Sequence, residues 1–210
     1  MSRTIFFISD SHFGHKSIIN FKNQAGQPLR VRPSVPSGKL CNFTDVEEMD
    51  EYMIERWNAV VRPQDKVYHL GDFIVKKAGG PHSVISRLNG KLRLVRGNHD
   101  LYRTKDYLQA GVEEVYGQIV GKFQGMLLSH IPVHPASLGL HAEGGRKFVN
   151  IHGHIHSNYS WTPFTPHLGP GYFNVSCEVL NYTPISLEGI RKLLSWQDSG
   201  LMIKNEWFSV

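Results

Sequence analysis

The chain has 210 residues, of which 40% are hydrophobic and 20% are charged, and its formal net charge is +5 at pH 7. These values describe an ordinary soluble protein with a single globular domain over residues 1–210. The apolar run at residues 5–8 is too short for a signal peptide or a membrane span. Cys41 and Cys177 form neither a CxxC motif nor a disulfide framework. We therefore expect a cytoplasmic protein with reduced thiols and no membrane partner.

The basic excess is compatible with a polyanionic substrate, although a solvated basic surface would have the same composition. The chain contains no block of Lys and Arg residues and no basic helix interleaved with aromatic residues. A dedicated nucleic-acid-binding module is therefore not indicated, and neither is a stable protein partner.

In the first half of the chain, short apolar runs alternate with stretches of helical periodicity. The strand predictions are residues 4–9, 66–70 and 91–96, and the helix predictions begin at Thr44, residue 81 and residue 101. Thr44 and Glu47 form a capping box for the first of these helices, and Pro63 ends it.

The second half contains more turns. A hairpin is predicted at residues 118–129 through the turn at Gln124 and Gly125. Further predictions are strands at residues 148–152 and 172–180, a helix at 186–196, and an edge strand or tail at 204–210. Strand–helix alternation followed by hairpins predicts a mixed α/β fold.

Residues 22–43 are rich in Gly, Pro, Ser and basic residues and show no period. A loop of this length is typically functional or mobile. Because it follows the first strand, we expect a lid or a mobile loop near Asp10 and His12. Arg30 and Arg32 on this loop could contact substrate phosphate, whereas the alternative is a plain surface excursion.

Five short polar patches follow these apolar runs or lie within them. Their chemistry-bearing residues are Asp10 and His12; Asp72; Asn98, His99 and Asp100; His130; and His154 and His156. Each patch alone is also typical of a turn or a helix cap, but side chains just past strand ends converge at one sheet edge. Aspartate, histidine and amide oxygen suit Mn, Fe or Zn. The seven candidate ligands among these residues are too many for one tetrahedral ion. They fit two ions that share a bridging carboxylate.

This order of motifs resembles the calcineurin-like metallophosphoesterase superfamily, whose pattern runs D-x-H, G-D, G-N-H-[DE], H and G-H-x-H. Every motif is present, and the resemblance spans roughly residues 4–180. The Ser-Asp-Ser-His-Phe-Gly-His opening is similar to small bacterial and phage-type phosphoesterases. The resemblance implies an α/β/β/α sandwich of two mixed β-sheets flanked by helices.

The resemblance also implies a role for each ligand. One ion would be held by Asp10, His12, Asp72 and His156, and the other by Asp72, Asn98, His130 and His154, with Asp72 as the bridge. His99 would lie beside the ions as the general acid.

This set of residues suits phosphoester cleavage. Two cations clamp phosphoryl oxygens and lower the pKa of a bridging water, which yields a hydroxide that attacks phosphorus. Asn98 contributes a neutral oxygen, so the site stays accessible to phosphate. His99 can protonate the leaving group because imidazole titrates near neutral pH, and Asp100 is predicted to orient it. Mn²⁺ is the cofactor of choice for assay, with Fe or Zn as alternatives.

Further residues are candidates for contact with the substrate. They are His15, Arg30, Arg32, Arg96, His134 and Arg146. For Arg96, a salt bridge with a structural role is an equal alternative to contact with phosphate. Tyr159 and Trp161 could stack a base, although packing within their own loop is the alternative.

The leading prediction is a phosphodiesterase acting on nucleotide-derived or other small phosphodiesters, and a phosphomonoesterase is the near alternative. Protein Ser/Thr phosphatases carry Gly-Asp-x-Val-Asp-Arg-Gly, whereas Phe-Ile-Val-Lys-Lys follows Asp72 here, and they carry Glu at the position of Asp100. A non-catalytic scaffold on the same fold is a remote alternative, because no ligand position is missing.

Overall fold

A computed structural model of the protein describes residues 3–34, 37–75, 79–139, 148–169 and 171–198. In chain order the strands are β1 (Ile5–Ile8), β2 (Val31–Pro33), β3 (Leu40–Asn42), β4 (Lys66–His69), β5 (Lys91–Val95), β6 (Glu114–Tyr116), β7 (Ile119–Phe123), β8 (Met126–Leu128), β9 (Val149–His152), β10 (Tyr172–Asn174) and β11 (Ile185–Ser186). The α-helices are α1 (Val46–Val60), α2 (His82–Ile85), α3 (Thr104–Gln109) and α4 (Leu187–Asp198). The strand or tail predicted at residues 204–210 lies outside the described residues.

The first sheet has the strand order β11-β1-β4-β5-β6. Strands β1, β4, β5 and β6 are parallel, and β11 runs antiparallel to β1. Ile8 pairs with His69, which in turn pairs with Leu94, so the carboxyl ends of β1, β4 and β5 share one edge. Phe7, Val67 and Leu94 are fully buried, as the continuous apolar runs predict for a sheet covered on both faces.

The second sheet has the order β10-β9-β8-β7. Strands β7 and β8 form the predicted hairpin, in which Phe123 pairs with Met126 across a two-residue turn. Gly125 in that turn has a φ of 71°, which glycine adopts without strain. Strand β9 is parallel to both β8 and β10, so the carboxyl ends of β8 and β9 also lie together.

The two sheets pack face to face through aromatic side chains. Phe123 of β7 contacts Phe7 and Tyr68 edge-on, with ring centroids 5.4 Å and 5.2 Å apart. On the outside, Trp57 of α1 is buried and stacks over His69. The architecture is the predicted one, two mixed sheets with flanking helices. None of the helices in the described ranges is long and apolar enough to cross a bilayer.

The N-terminal cap of α1 lies one residue later than predicted. Asp45, not Thr44, is the N-cap, and its side chain accepts a hydrogen bond of 2.7 Å from the Glu48 backbone N–H. Glu48 accepts in return from the Thr44 backbone N–H. The capping carboxylate therefore comes from the residue whose backbone is extended.

Two predictions about irregular segments are corrected. The strand predicted at residues 172–180 ends at Asn174, because the chain then enters turns in which Asn181 and Tyr182 have positive φ. Cys177 is fully buried, as predicted, but lies in these turns. Residues 22–43, predicted to lack regular structure, contain the antiparallel pair β2–β3. These strands have three residues each and no alternating pattern that would reveal them.

Candidate metal centre

The predicted ligands lie where the carboxyl ends of both sheets meet. They follow β1 (Asp10, His12), β4 (Asp72), β5 (Asn98), β8 (His130) and β9 (His154, His156). Backbone N–H groups connect the ligand turns within the first sheet and between the two sheets. The Asp10 N–H donates to the Gly71 carbonyl at 2.9 Å, and the His154 N–H donates to the Asp10 carboxylate at 3.0 Å.

Six of the seven predicted ligands form two compact groups. In each group, one ligand atom per residue lies within 4.8 Å of the others, and the groups are Asp10, His12 and His156, and Asp72, His130 and His154. Asn98 adds a fourth candidate ligand, an amide oxygen, to the second group, because its Oδ1 lies 3.0 Å from His130 Nε2. The structure thus brings together all seven residues.

Asp72 belongs to the second group and also lies close to the first. Its Oδ2 is 3.5 Å from His12 Nε2 in one group and 3.3 Å from His130 Nε2 in the other. Its Oδ1 accepts a hydrogen bond of 2.8 Å from the His99 backbone N–H, which fixes the carboxylate plane. This is the placement expected of a shared ligand.

The ligand residues hold an uncommon backbone conformation. Positive φ values between 46° and 69° occur at Asp10, His12, Asp72, His154 and His156. A left-handed conformation costs a non-glycine residue about 1–3 kcal/mol, and such strain collects at functional sites. It turns the chain sharply after β1, β4 and β9, so that these five side chains point into one space.

Glycines next to the ligands let these turns pack closely. A Cβ atom on Gly71 would lie 2.6 Å from His130 Nδ1, and one on Gly97 would overlap the Asp72 carboxylate. One on Gly153 would overlap Asp10. The motif glycines are therefore required by close approach of backbone to ligand side chains.

Two of the histidines are oriented by acceptors behind them. His130 donates Nδ1–H to the Leu70 carbonyl at 2.9 Å, which leaves Nε2 facing Asp72. His156 donates Nδ1–H to Glu178 at 2.8 Å, and its Nε2 then lies 3.8 Å from Asp10. A partner on the far ring nitrogen fixes the tautomer and orientation of metal-binding histidines.

The donor set fits divalent cations. Both ring nitrogens of His12 are buried without a hydrogen-bond partner. Burial lowers the pKa of His12 to about 2, so its imidazole is neutral. For Asp10, burial acts to raise the pKa, but His156 and His130 hold it below its usual range, so the carboxylate is ionised. At these two residues, neutral imidazole with an unused nitrogen beside ionised carboxylate is the protonation state that metal binding requires.

Glu178 was missed in the sequence and belongs to this centre. It is fully buried and contacts both His156 and Arg30. Burial acts to raise its pKa, yet Arg30 and His156 hold the pKa down at about 2. A glutamate inside the apolar run at residues 172–180 was the available signal.

Arg30 does not occupy the position predicted for it. Its side chain is fully buried and bonds to the Asp10 carbonyl, to Cys177 Sγ and to Glu178, 3.3 Å away. Instead of contacting phosphate, this guanidinium supports the ligand turn after β1 from behind. It also anchors the segment at residues 22–43 to the centre.

Asp100 also differs from its predicted role of orienting the His99 ring. Its carboxylate accepts backbone N–H groups of Asp72, Phe73 and Gly97 at 2.8–3.0 Å. It therefore ties the turn after β4 to the turn after β5. The His99 side chain is exposed, with its ring centroid 5.4 Å from that of His12.

The remaining predicted substrate contacts have other partners. Arg32 pairs with Glu48, and Arg96 donates to the carbonyl of Tyr102 at 3.0 Å. His134 is exposed and caps the 3₁₀ turn Pro135–Leu138. Arg146 lies outside the described residues.

A cleft of about 670 Å³ opens over the ligand groups. Its lining includes His99 and His15, the latter predicted to contact substrate. Phe21, Lys22 and Asn158 also line it and were not predicted. Lys22 thus offers a cation where Arg30 and Arg32 had been expected to do so.

Comparisons with known proteins agree with this geometry. A family model described as calcineurin-like phosphoesterase matches residues 3–198. An uncharacterised protein of Methanocaldococcus jannaschii is 38% identical over 196 residues, covering 91% of this chain and 92% of that protein. The gene 66 protein of Mycobacterium phage L5 is 29% identical, covering 75% of this chain and 79% of its own length.

Among solved structures, the protein of unknown function AQ665 from Aquifex aeolicus superimposes with a TM-score of 0.60 and 26% sequence identity. The match covers 91% of this chain and 100% of that chain. Sequence, layered fold and ligand arrangement lead to one assignment: this chain belongs to the calcineurin-like phosphoesterase family.

Proposed function

We propose that the protein is a dinuclear-metal-dependent phosphodiesterase that hydrolyses nucleotide-derived or other small phosphodiesters. Family membership supports metal-dependent phosphoester hydrolysis in general. The observation that carries the two-ion reading is the position of Asp72, whose Oδ2 lies within 3.5 Å of an imidazole from each ligand group.

Each proposed ion has its own set of protein ligands, with one ligand in common. Asp10, His12 and His156 would hold one divalent ion, Asn98, His130 and His154 the other, and Asp72 both. Two such ions, when bound, polarise the phosphoryl group and acidify water. Four imidazoles and one amide are neutral ligands, so the centre keeps enough positive charge to attract phosphate.

His99 is the proposed general acid. Its backbone is fixed by Asp72, while its exposed ring faces the cleft. An imidazole at this position can pass a proton to the leaving alkoxide.

The diester preference has a steric argument. A cleft of about 670 Å³ is much larger than a phosphate group and leaves room for organic groups on both sides of phosphorus. We further propose Mn²⁺ as a working metal, with Fe or Zn as alternatives, and a cytoplasmic location, which two unpaired cysteines support.

The test is hydrolysis by metal-free protein reconstituted with Mn²⁺, Fe²⁺ or Zn²⁺. We expect a higher kcat/KM for bis(p-nitrophenyl) phosphate than for p-nitrophenyl phosphate. The reverse order would make the protein a phosphomonoesterase. Two bound ions without hydrolysis of either ester would contradict a phosphoesterase function.

A further inference from the structure

We propose that Phe21 and His15 form an aromatic subsite in the wall of the metal cleft, and that it binds a nucleobase or a similar planar group of the substrate. The inference relies on the proposed function for the position of the phosphate. It gives a binding position to the planar group of the substrate, which the metal ligands do not contact.

The subsite is reached from the ligands by a path of ring contacts. The His12 and His15 ring centroids are 5.8 Å apart, and those of His15 and Phe21 are 5.6 Å apart. One imidazole therefore separates Phe21 from a metal ligand. In a nucleotide, one sugar ring separates the phosphate from the base, so a phosphate at the ligands and a base at Phe21 would follow the same order.

The surroundings of Phe21 resemble a binding wall. Its side chain is 45% exposed although it is a large apolar group. A single exposed phenyl ring on a surface carries little information, but this ring lines the cleft that holds His99 and Asp72. Ile18 and Leu29 extend the apolar wall. An apolar wall opposite a few placed polar groups is typical of a small-molecule site.

The backbone under Phe21 is held by a dense set of hydrogen bonds. The Phe21 carbonyl accepts from the Leu29 N–H at 2.7 Å. The buried Asn23 side chain accepts from the N–H groups of Ala25 and Gln27, both at 3.0 Å. A ring presented on an ordered turn loses little conformational entropy when it binds a ligand.

The aromatic residues predicted from the sequence for base stacking are engaged elsewhere. Tyr159 stacks on His167 with ring centroids 3.8 Å apart. Trp161 donates to the Gln27 side chain at 3.2 Å and lines a separate cavity. Phe21, by contrast, presents its ring to the metal cleft.

The test compares two ligands that differ only in the base. They are the phosphonate analogues of AMP and of ribose 5-phosphate, in which carbon replaces the ester oxygen so that neither is hydrolysed. Binding to the Mn²⁺-reconstituted protein is measured by calorimetry. Stacking on an aromatic ring predicts that the AMP analogue binds about 5- to 100-fold more tightly.

Variants locate this preference. We expect the ratio of the two affinities to fall toward one in Phe21→Ala and to persist in Phe21→Trp. In Val120→Ala, which removes an exposed apolar side chain on β7, it should equal that of the wild type. Phe21→Leu replaces Phe21→Ala if the latter does not fold, because it keeps most of the volume without an aromatic face.

Equal binding of both analogues by the wild type, or an undiminished preference in Phe21→Ala, would overturn the subsite. Hydrolysis of bis(p-nitrophenyl) phosphate, measured on the same preparation, tests the proposed function separately. Phe21-dependent base preference without hydrolysis would retain the subsite and reject the function. Hydrolysis without a base preference would retain the function and reject the subsite.

Discussion

Asp72 shows how much a single residue does in this centre. Its φ of 54° turns the chain at the end of β4, and Gly97 lies so close that a Cβ there would overlap its carboxylate. One of its oxygens is fixed by the His99 backbone, and the other faces both ligand groups. The strained backbone and the position beside both groups support the proposal that Asp72 is a carboxylate common to two ions.

We expect Asp72→Asn to reduce activity to near background and to lower metal content from two ions per chain. A neutral amide cannot replace a carboxylate shared by two cations. Metal analysis and turnover of bis(p-nitrophenyl) phosphate check this, with Asp106→Asn as the control because it removes a carboxylate paired with Arg103 on the surface. Two ions bound with normal turnover would remove Asp72 from the bridging position.

We expect His99→Ala to retain both ions and to slow turnover by roughly 10²- to 10⁴-fold, the range for loss of a general acid. The defect should be small for nitrophenolate, which needs little protonation, and large for nucleoside or alkyl leaving groups. His82→Ala, which removes an exposed histidine on α2, is the control. An equal defect for all leaving groups, or loss of bound metal, would assign His99 to phosphate binding or to the ligands.

We expect Glu178 to affect metal affinity through its hydrogen bond with His156. In Glu178→Gln the His156 imidazole loses its charged acceptor, and we expect the affinity for one ion to fall by roughly 10- to 100-fold. Metal titration should show one weakened and one unchanged site. Glu51→Gln, in an exposed pair with Arg87, should leave both sites as in the wild type. Equal weakening of both ions would indicate a general structural defect.

At the scale of elements, strand direction delivers the ligands and helices support the strands. The parallel arrangement of β1, β4 and β5 places three ligand turns on one edge, and β8 and β9 bring the histidine turns to meet them. Helix α1 supports the first sheet through Trp57, which is 2% exposed. The stability of α1 can therefore be changed without touching a ligand.

We expect Asp45→Ala to lower the free energy of unfolding by about 0.5–2 kcal/mol through loss of the N-cap of α1. Metal affinity and kcat should not change, because Asp45 contacts neither group of ligands. Denaturant unfolding and metal titration measure the two quantities. Thr44→Ala keeps the capping carboxylate and should cost less. A larger effect for Thr44→Ala would place the cap where the sequence alone predicted it.

At the scale of the whole molecule, two sheets meet at a centre that concentrates charge, strain and unpartnered donors. Positive φ at five predicted ligands and the His12 ring nitrogens, buried without a hydrogen-bond partner, both oppose folding, and the proposed cations would offset this cost. Ligands that bind the native state alone stabilise it by mass action.

Removal of metal should therefore abolish hydrolysis and lower the melting temperature. At an ion concentration 100-fold above Kd, each site contributes about 2.7 kcal/mol to the free energy of unfolding. Thermal melting with chelator and after addition of Mn²⁺ measures this effect, and Asp72→Asn should show a smaller shift than the wild type. Full activity after exhaustive chelation would exclude the two-ion mechanism.

The ligand motifs, the strands that precede them and the type of fold could be predicted from the sequence alone. These features are local, because a buried strand requires a continuous apolar run and a metal ligand requires a particular side chain just after it. The hairpin at Gly125 and the helix ending before Pro63 were readable for the same reason.

Folding alone decided which side chains support the predicted ligands from behind and which line the cleft. Arg30 and Glu178 are 148 residues apart in number yet meet behind Asp10, whereas Phe21 and Lys22 turn toward the cleft. Asp100 accepts from backbone groups of two separate turns. Such contacts join distant segments, and a short polar stretch has the same composition whether it lines a cleft or supports one from behind. Its role depends on what the rest of the chain places against it.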